Sequence, residues 1–348
     1  MAYTTIDDPS AHFHTQLYTG DGNATQAITN DANAGDFQPD WLWLKRRSDA
    51  EHHMLADSSR GVGKRLRSNT TDAEDNNGLT SFDTDGFTTL SSAVWNASSE
   101  TYVAWQWKAN GGSTSSNTDG DITSTVQVNA TAKFSILTYT GNATDGNTVG
   151  HGLGVKPDII IVKGNHGDYN WNNRHAALES LGNGYVLHLD LGGGTWNETN
   201  KFTTTAPTTA VFSLGDHGTN ISGTAHVAYC WAEVQGYSKF GSYTGNASTD
   251  GTFVYLGFKP AWLIIKRTDG TANWYIYDNK RDIRNEADAV LFSNTNVAEL
   301  ESSNDVDFLS NGFKLRSTDV STNSGTYVYM AFAESPFVTS GGVPCTAR

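Results

Sequence analysis

Two histidine pairs have spacings that could do chemistry. His12-Phe13-His14 puts two imidazoles on one face of a strand, and His52-His53 follows Glu51. A metal site needs three or four converging ligands. No CxxC, no HExxH and no third ligand at a recognisable spacing accompanies either pair, so they read as solvated or aromatic-packed histidines. Asn117-Thr118-Asp119-Gly120-Asp121 and Asp83-Thr84-Asp85-Gly86 alternate carboxylates around a glycine, as calcium loops do. The twelve-residue loop with its closing glutamate is missing, and Asp-Gly is also a common hairpin turn. Turns are expected at both, with calcium as the minor alternative and no other cofactor. There is no Gly-x-Ser-x-Gly elbow, and Gly192-Gly193-Gly194 lacks the Lys-Ser/Thr ending of a phosphate loop. Paired carboxylates for glycoside hydrolysis are set by tertiary geometry, but the acidic residues recur in turn contexts. No catalytic residue is assigned, and the chain is not expected to be an enzyme.

Two features suit binding. Lys45, Arg46, Arg47, Arg60, Lys64, Arg65 and Arg67 place seven of the 23 basic residues between positions 45 and 67 of a chain whose net charge is −14. They read either as a solvated strand end or as a local positive patch for an anionic surface. Trp95 and Trp196 each lie in a Ser/Asn/Gly-rich stretch without a counterpart elsewhere in the chain. A loop tryptophan can stack on the apolar face of a sugar ring, with Asn and Asp nearby to hold hydroxyls; packing onto its own domain is the plainer role.

The elements that must position these residues show in the composition. Of 348 residues, 35 are Gly, 10 Trp, 14 Tyr and 15 Phe, and 17% are charged. Aromatics at this level argue against disorder, and with abundant Thr and Gly they point to an all-β protein. The acidic balance makes nucleic acid an unsuitable partner. No stretch reaches the roughly 20 apolar residues of a membrane span, and the first residues lack the pattern of a secretory leader. Cys230 and Cys345 do not make a disulfide framework.

One pattern occurs three times. Tyr-Thr-Gly appears at 18–20, 139–141 and 243–245. Each copy is followed by an apolar run that opens on proline and ends on lysine: Pro39 to Lys45, Pro157 to Lys163, and Pro260 to Lys266. Each closes on an aromatic run, at 101–107, 225–231 and 326–332. A repeat of this length is a whole domain. The post-proline run is apolar on both faces, as in a strand buried between layers. The closing run alternates its large residues onto one face. Short strands with turn signals between them predict three tandem antiparallel β-sandwiches. A weak helix signal sits near 282–289. The predicted divisions are a short polar N-terminal arm over 1–14, repeats over 15–109, 133–236 and 237–338, a flexible Ser/Thr/Gly-rich linker over 110–132, and a C-terminal tail over 339–348. The linker predicts that unit 1 moves against a stiffer pair of units 2 and 3.

The Tyr-Thr-Gly-Asn starts, Val149-Gly150-His151-Gly152-Leu153-Gly154-Val155-Lys156-Pro157-Asp158, the run from Tyr327 to Phe337 and the ending Gly342-Val343-Pro344-Cys345-Thr346-Ala347-Arg348 resemble tandem-repeat virion proteins of the tail or fibre type from tailed phages of marine bacteria and cyanobacteria. Unit 1 departs from the pattern, with Asn30 to Asp36 replacing the Gly-His-Gly-Leu-Gly lead-in. The resemblance implies a lectin-like, jelly-roll kind of sandwich and a virion location, after synthesis in the host cytoplasm, with residues 1–14 as an attachment arm, and carries over no functional residue. With it, the sequence reads as a non-enzymatic tail-fibre or receptor-binding component. Its partners would be other virion proteins and a host surface glycan, its state a homotrimer by analogy with fibres, and its binding would gain from many copies on one particle. A capsid decoration protein is the alternative, and a glycan depolymerase the enzymatic one.

Overall fold

The structure, a computed structural model, describes residues 3–30 and 36–346. The unit 1 lead-in at 31–35 and the last two residues of the tail lie outside them. The fold is all-β and its sheets are antiparallel. In unit 1 the strands Phe13–Thr19, Thr101–Trp107, Trp41–Arg46 and Met54–Asp57 lie side by side in that order. A smaller sheet of Thr25–Ile28, Phe87–Leu90 and Ser81–Phe82 faces them. Unit 2 repeats the central order with Phe134–Thr140, Ala225–Trp231, Ile159–Gly164 and Asn172–His175. It adds Tyr185–His188 and Trp196–Asn197 on one side, and Ser124–Asn129 and Ser115–Asn117 on the other. In unit 3 the same four positions are Ser238–Thr244, Thr326–Pro336, Phe258–Arg267 and Trp274–Asp278. Its sheet continues through Ala287–Phe292, Leu300–Leu309, Gly312–Leu315 and Phe253–Tyr255, which curl back over the Phe258–Arg267 strand and nearly close a barrel.

The Tyr-Thr-Gly landmark has one physical explanation in all three units. The tyrosine hydroxyl donates to the carbonyl of Trp95, Thr219 or Thr322. A buried asparagine, Asn96, Asn220 or Asn323, then pins the residue after the glycine, donating to the side chain of Asp21, Asn142 or Asn246 and accepting from its amide. The strand end passes so close to that segment that a Cβ on Gly20, Gly141 or Gly245 would meet its backbone at 2.2, 2.4 and 2.2 Å. Only glycine fits that approach.

Period-two alternation explains why the landmark runs are apolar on both faces. Leu42, Leu44, Tyr102 and Ala104 enter a core private to unit 1, while Trp41, Trp43, Trp105 and Trp107 point the other way. There they meet Ile159, Ile161, Tyr229 and Trp231 of unit 2 and Trp262, Ile264, Met330 and Phe332 of unit 3 in one shared core. Trp41 stacks on Tyr229 at 4.7 Å, and Phe13 on Phe332 at 5.3 Å. The three units are therefore the walls of a single interior.

Three seams close this arrangement into a ring, and each uses the same backbone bond. The amides of Glu74, Thr195 and Glu299 donate to the carbonyls of Asn165, Thr268 and Arg47, each at 2.9 Å across a unit boundary. Trp171 Nε1 donates to the Arg67 carbonyl, Trp274 Nε1 to the His188 carbonyl, and His53 Nε2 takes the same place against the Phe292 carbonyl. His53 Nδ1 accepts from Trp43 Nε1, so the ring is neutral with its proton on Nε2, and burial holds it well below the usual histidine range.

Several expectations need correction. Residues 110–132 are not a free linker: Ser115–Asn117 and Ser124–Asn129 are strands of the unit 2 sheet, and Asp40 accepts the amides of Ala109, Gly111 and Gly112. Serine and threonine suit an edge strand as well as a linker. Unit 1 is locked to unit 2 by the shared core and a full seam, so the expected motion of unit 1 has no joint. The attachment arm is packed, with Thr4 Oγ1 donating to the Gln235 carbonyl and Asp7 accepting from the amide of Ser340 in the tail. The tail forms a tight turn, Thr339 and Val343 pairing at 2.9 Å. The segment expected to be helical turns at 282–286 and enters the strand Ala287–Phe292.

Candidate functional site

Trp95 is not a surface platform. Ser92 caps a single helical turn, Ala93–Asn96, which rotates the indole into the private core of unit 1 at 0% exposure. Its Nε1 donates to the Asn77 carbonyl at 2.7 Å, so neither face nor edge is free. The polar flanks that resemble a loop are the cap and the pinning Asn96.

The basic cluster is not a positive surface either. Lys45 is fully buried, its ammonium donating to the carbonyls of Arg46 and Asp49. Arg46 pairs with Glu100 and Asp49, Arg47 with Glu299, Arg60 with Asp57 and Glu74, and Lys64 with Glu74. Arg65 pairs with Asp75, and Arg67 with Asp72 and Asp75. An acidic partner accompanies each arginine, which removes the field an anionic surface would feel.

Much of this charge holds seams. Asp57 accepts from Arg60 at 2.5 Å and from the Tyr229 hydroxyl of unit 2 at 2.7 Å, and Arg60 reaches on to Glu74. At the seam between units 3 and 1, Asp278 accepts from Arg281 at 2.5 Å and from Trp105 Nε1 at 2.9 Å, and Arg281 reaches on to Glu299. Burial alone would raise the Glu299 carboxyl, but the hydrogen bond from Arg47 and the charges of Arg281 and Arg47 hold it below its usual value. The lysines that end the post-proline runs are also interior: Lys163 donates to the Thr71 and Tyr169 carbonyls, and Lys266 to those of Gly192 and Ala272. Burial lowers Lys45 and Lys163 to about 8 and Lys266 to about 7.

The seam between units 2 and 3 departs from the other two. The register that places Asp57 opposite Trp41 and Asp278 opposite Trp262 places His175 opposite Ile159. His175 Nε2 donates to the Tyr329 carbonyl at 3.1 Å. The arginine three positions on is replaced by Leu178, and the glutamate by Thr195. The residue after Thr195 is Trp196.

Trp196 is 44% exposed. It sits on an edge strand opposite Val186, and its indole lies against the backbone of Gly193, where a Cβ would come within 2.8 Å of Cζ2. Its ring is 6.0 Å from that of His188, whose Nε2 is 2.9 Å from Glu198. His188 lies opposite Asn172 on the neighbouring strand, so Asn172, Arg174, His188 and Trp196 share one face of the sheet. At the places of Asn172 and Arg174, unit 1 has Met54 and Ala56 and unit 3 has Tyr275 and Tyr277. Unit 2 alone buries polar side chains there. Arg174 Nη2 is held by Glu179 and Asn183, while Arg174 Nε and Nη1, Asn172 Oδ1 and His188 Nδ1 have no partner among the described residues. Buried polar atoms left in this way mark a place that water or a ligand completes. The run Asn170-Trp171-Asn172-Asn173-Arg174-His175 carries this signal in the sequence, visible once the units are aligned on that strand.

The histidine pairs do not converge on a metal. His12 accepts from Asn129, His52 from Asn69, and His53 sits in its seam. The two acidic loops are turns closed by their own bonds: Asp83 accepts from Ser81 and Thr88, Asn117 from the Asp119 amide, and Asp121 from Thr148. Among the described residues no three His, Cys, Asp or Glu side chains are grouped to hold a metal ion.

The fold and these sites define an all-β protein of three homologous antiparallel units closed around one core, with one exposed tryptophan beside a polar sheet face. The chain belongs to the family described as Domain of unknown function (DUF7483), whose match spans residues 8–336 and so takes in all three units as one domain. No curated protein and no solved structure matches the chain.

Proposed function

We propose that this chain is a non-enzymatic structural protein of a phage virion, a tail-fibre or receptor-binding component whose three lectin-like, jelly-roll-type sandwiches present a glycan-binding surface on unit 2. The observation that carries the reading is the exposed Trp196 indole on an edge strand, followed along the chain by the exposed Asn197, Thr199 and Asn200. An aromatic plane with hydrogen-bonding groups alongside is what a sugar ring requires, its apolar face stacking and its hydroxyls pairing. A surface rich in Asn, Thr and Ser suits the same ligand, because neutral hydrogen bonds do not depend on charges that salt screens. Repetition of the protein on a particle, as a homotrimer in many copies, would turn a weak single contact into firm adhesion. The virion placement rests on the resemblance of the repeat landmarks to phage tail and fibre proteins.

The test is binding of the purified chain to host surface polysaccharide, with labelled antibody locating the protein on particles. Saturable binding lost in Trp196→Ala, together with label on the tail, supports the proposal. Label over the head lattice would make the protein a capsid decoration. Shortening of the polysaccharide on sizing would make it a depolymerase.

A further inference from the structure

Unit 3 carries an exposed aromatic surface of its own. On the short strand Phe253–Tyr255 the side chains alternate exposed, buried, exposed, which puts Phe253 and Tyr255 on one face, 45% and 51% exposed. We infer that these two rings form a sugar-stacking platform, a glycan-binding site on unit 3 that goes beyond the unit 2 surface proposed above and does not rest on it.

Three observations carry this. The first is that the fold does not require aromatics there. Each unit has the same small strand pair, in which a buried Ile28, Val149 or Val254 lies opposite a buried Phe87, Phe212 or Phe313. The residues flanking the buried aliphatic one are Ala27 and Thr29 in unit 1, Thr148 and Gly150 in unit 2, and Phe253 and Tyr255 in unit 3. Two units close the same strand pair without a ring at either place, so packing does not account for the two rings of unit 3.

The second is what surrounds the rings. Phe253 lies opposite Lys314, whose ammonium pairs with Asp250, and Tyr255 lies opposite Gly312, which has no side chain to cover it. Two hydroxyls meet at the end of the Tyr255 ring: Tyr3 Oη donates to the Gly257 carbonyl at 2.7 Å and stands 3.3 Å from Tyr255 Oη. Aromatic faces with hydroxyls and a charged pair at their margin suit a pyranose, which stacks its C–H face and pairs its own hydroxyls.

The third is extent. Two rings of about 200 Å² each, exposed to this degree, offer about 200 Å² together. A stable protein interface buries about 800 Å² on each partner, so the strip is too small for a second copy of the chain and matches one or two sugar residues. The rings stand about 6.7 Å apart along the strand and so form one continuous strip.

The test is fluorine NMR of the full chain labelled with 3-fluorotyrosine and 5-fluorotryptophan, titrated with host surface polysaccharide, cellohexaose and maltohexaose. The Tyr255 signal is assigned by its absence from Tyr255→Phe, and the Trp196 signal by its absence from Trp196→Phe. The expected result is a saturable shift of the Tyr255 signal with at least one saccharide, retained in Trp196→Phe. Its midpoint should rise between about sevenfold and about fortyfold in Phe253→Ala, the range for a ligand that covers half or all of that ring's exposed area. No shift of the Tyr255 signal with any of the three saccharides would overturn the inference. So would a shift with protein concentration alone, which would mark a contact between copies, or with phosphatidylcholine vesicles and no saccharide, which would mark a membrane contact. A Tyr255 shift without a Trp196 shift would sink the unit 2 surface and leave this site standing; the reverse would remove this site and leave that one.

Discussion

Trp196→Ala separates binding from folding, because the indole is half in solvent and packs on little besides Gly193 and the His188 ring. A tryptophan side chain presents up to about 250 Å². The 44% left exposed is therefore about 110 Å². Covering all of it with ligand at about 25 cal/mol per Å² would be worth about 2.7 kcal/mol, and covering one face about half of that. Affinity should fall between about tenfold and about a hundredfold. The melting temperature should change little, since surface substitutions usually cost within about 0.5 kcal/mol. Titration calorimetry with soluble host polysaccharide measures the first quantity and a thermal melt the second. Unchanged affinity with an unchanged melt would remove Trp196 from any binding surface and leave the unit 2 face without an aromatic anchor.

Other substitutions probe the ring. Trp95→Ala, by contrast, should cost about 3–5 kcal/mol in chemical denaturation through the cavity it leaves while glycan affinity of the folded fraction stays constant; a loss of affinity would restore it as a contact residue. Arg281→Met strands Asp278 and Glu299 in the seam between units 3 and 1 and should cost about 3–5 kcal/mol, with Asp278→Asn in the same chain recovering part; a cost below about 1 kcal/mol would show the triad to be dispensable. The lysines predict a pH effect. Their pKa values near 7 to 8 in the fold lie below the unfolded value, so between neutrality and about pH 10 the unfolded chain binds more protons and stability rises with pH. The buried thiol of Cys230 and the buried tyrosines, pushed up by desolvation, reverse the trend at higher pH. Denaturant midpoints across this range should rise and then fall, with a shallower rise in Lys266→Met; a flat or falling profile from pH 7 to 9 would contradict the lysine burial.

Much of the fold is legible in the residues because the same local devices recur. Tyr18, Tyr139 and Tyr243 with their glycines mark one strand end in each unit, and the post-proline runs are apolar on both faces because both faces are covered. What covers the inner face is not legible. A strand buried between layers looks the same whether the second layer is its own sheet or the neighbouring unit, and that choice is made by tertiary packing across more than a hundred residues. The same limit explains the basic cluster. Lys45 to Arg67 read as surface charge until Asp57, Glu74, Asp75 and the distant Glu299 are brought to them. Trp95 and Trp196 have similar polar flanks, and a Ser92 cap on one and an edge strand under the other send them to opposite environments. The polar strand from Asn172 to His175 was open to recognition, because its departure from Met54-Leu55-Ala56 and Tyr275-Ile276-Tyr277 lies in the sequence itself.

Three repeats that share one interior and three seams unfold together. Differential scanning calorimetry of the full chain tests this directly. At about 0.7 kcal/mol per residue near 60 °C, the 348 residues predict a single transition of about 240 kcal/mol, with the van't Hoff enthalpy equal to the calorimetric one. Resolved transitions, or a van't Hoff enthalpy near a third of the calorimetric value, would mean three independent domains and would contradict the shared core.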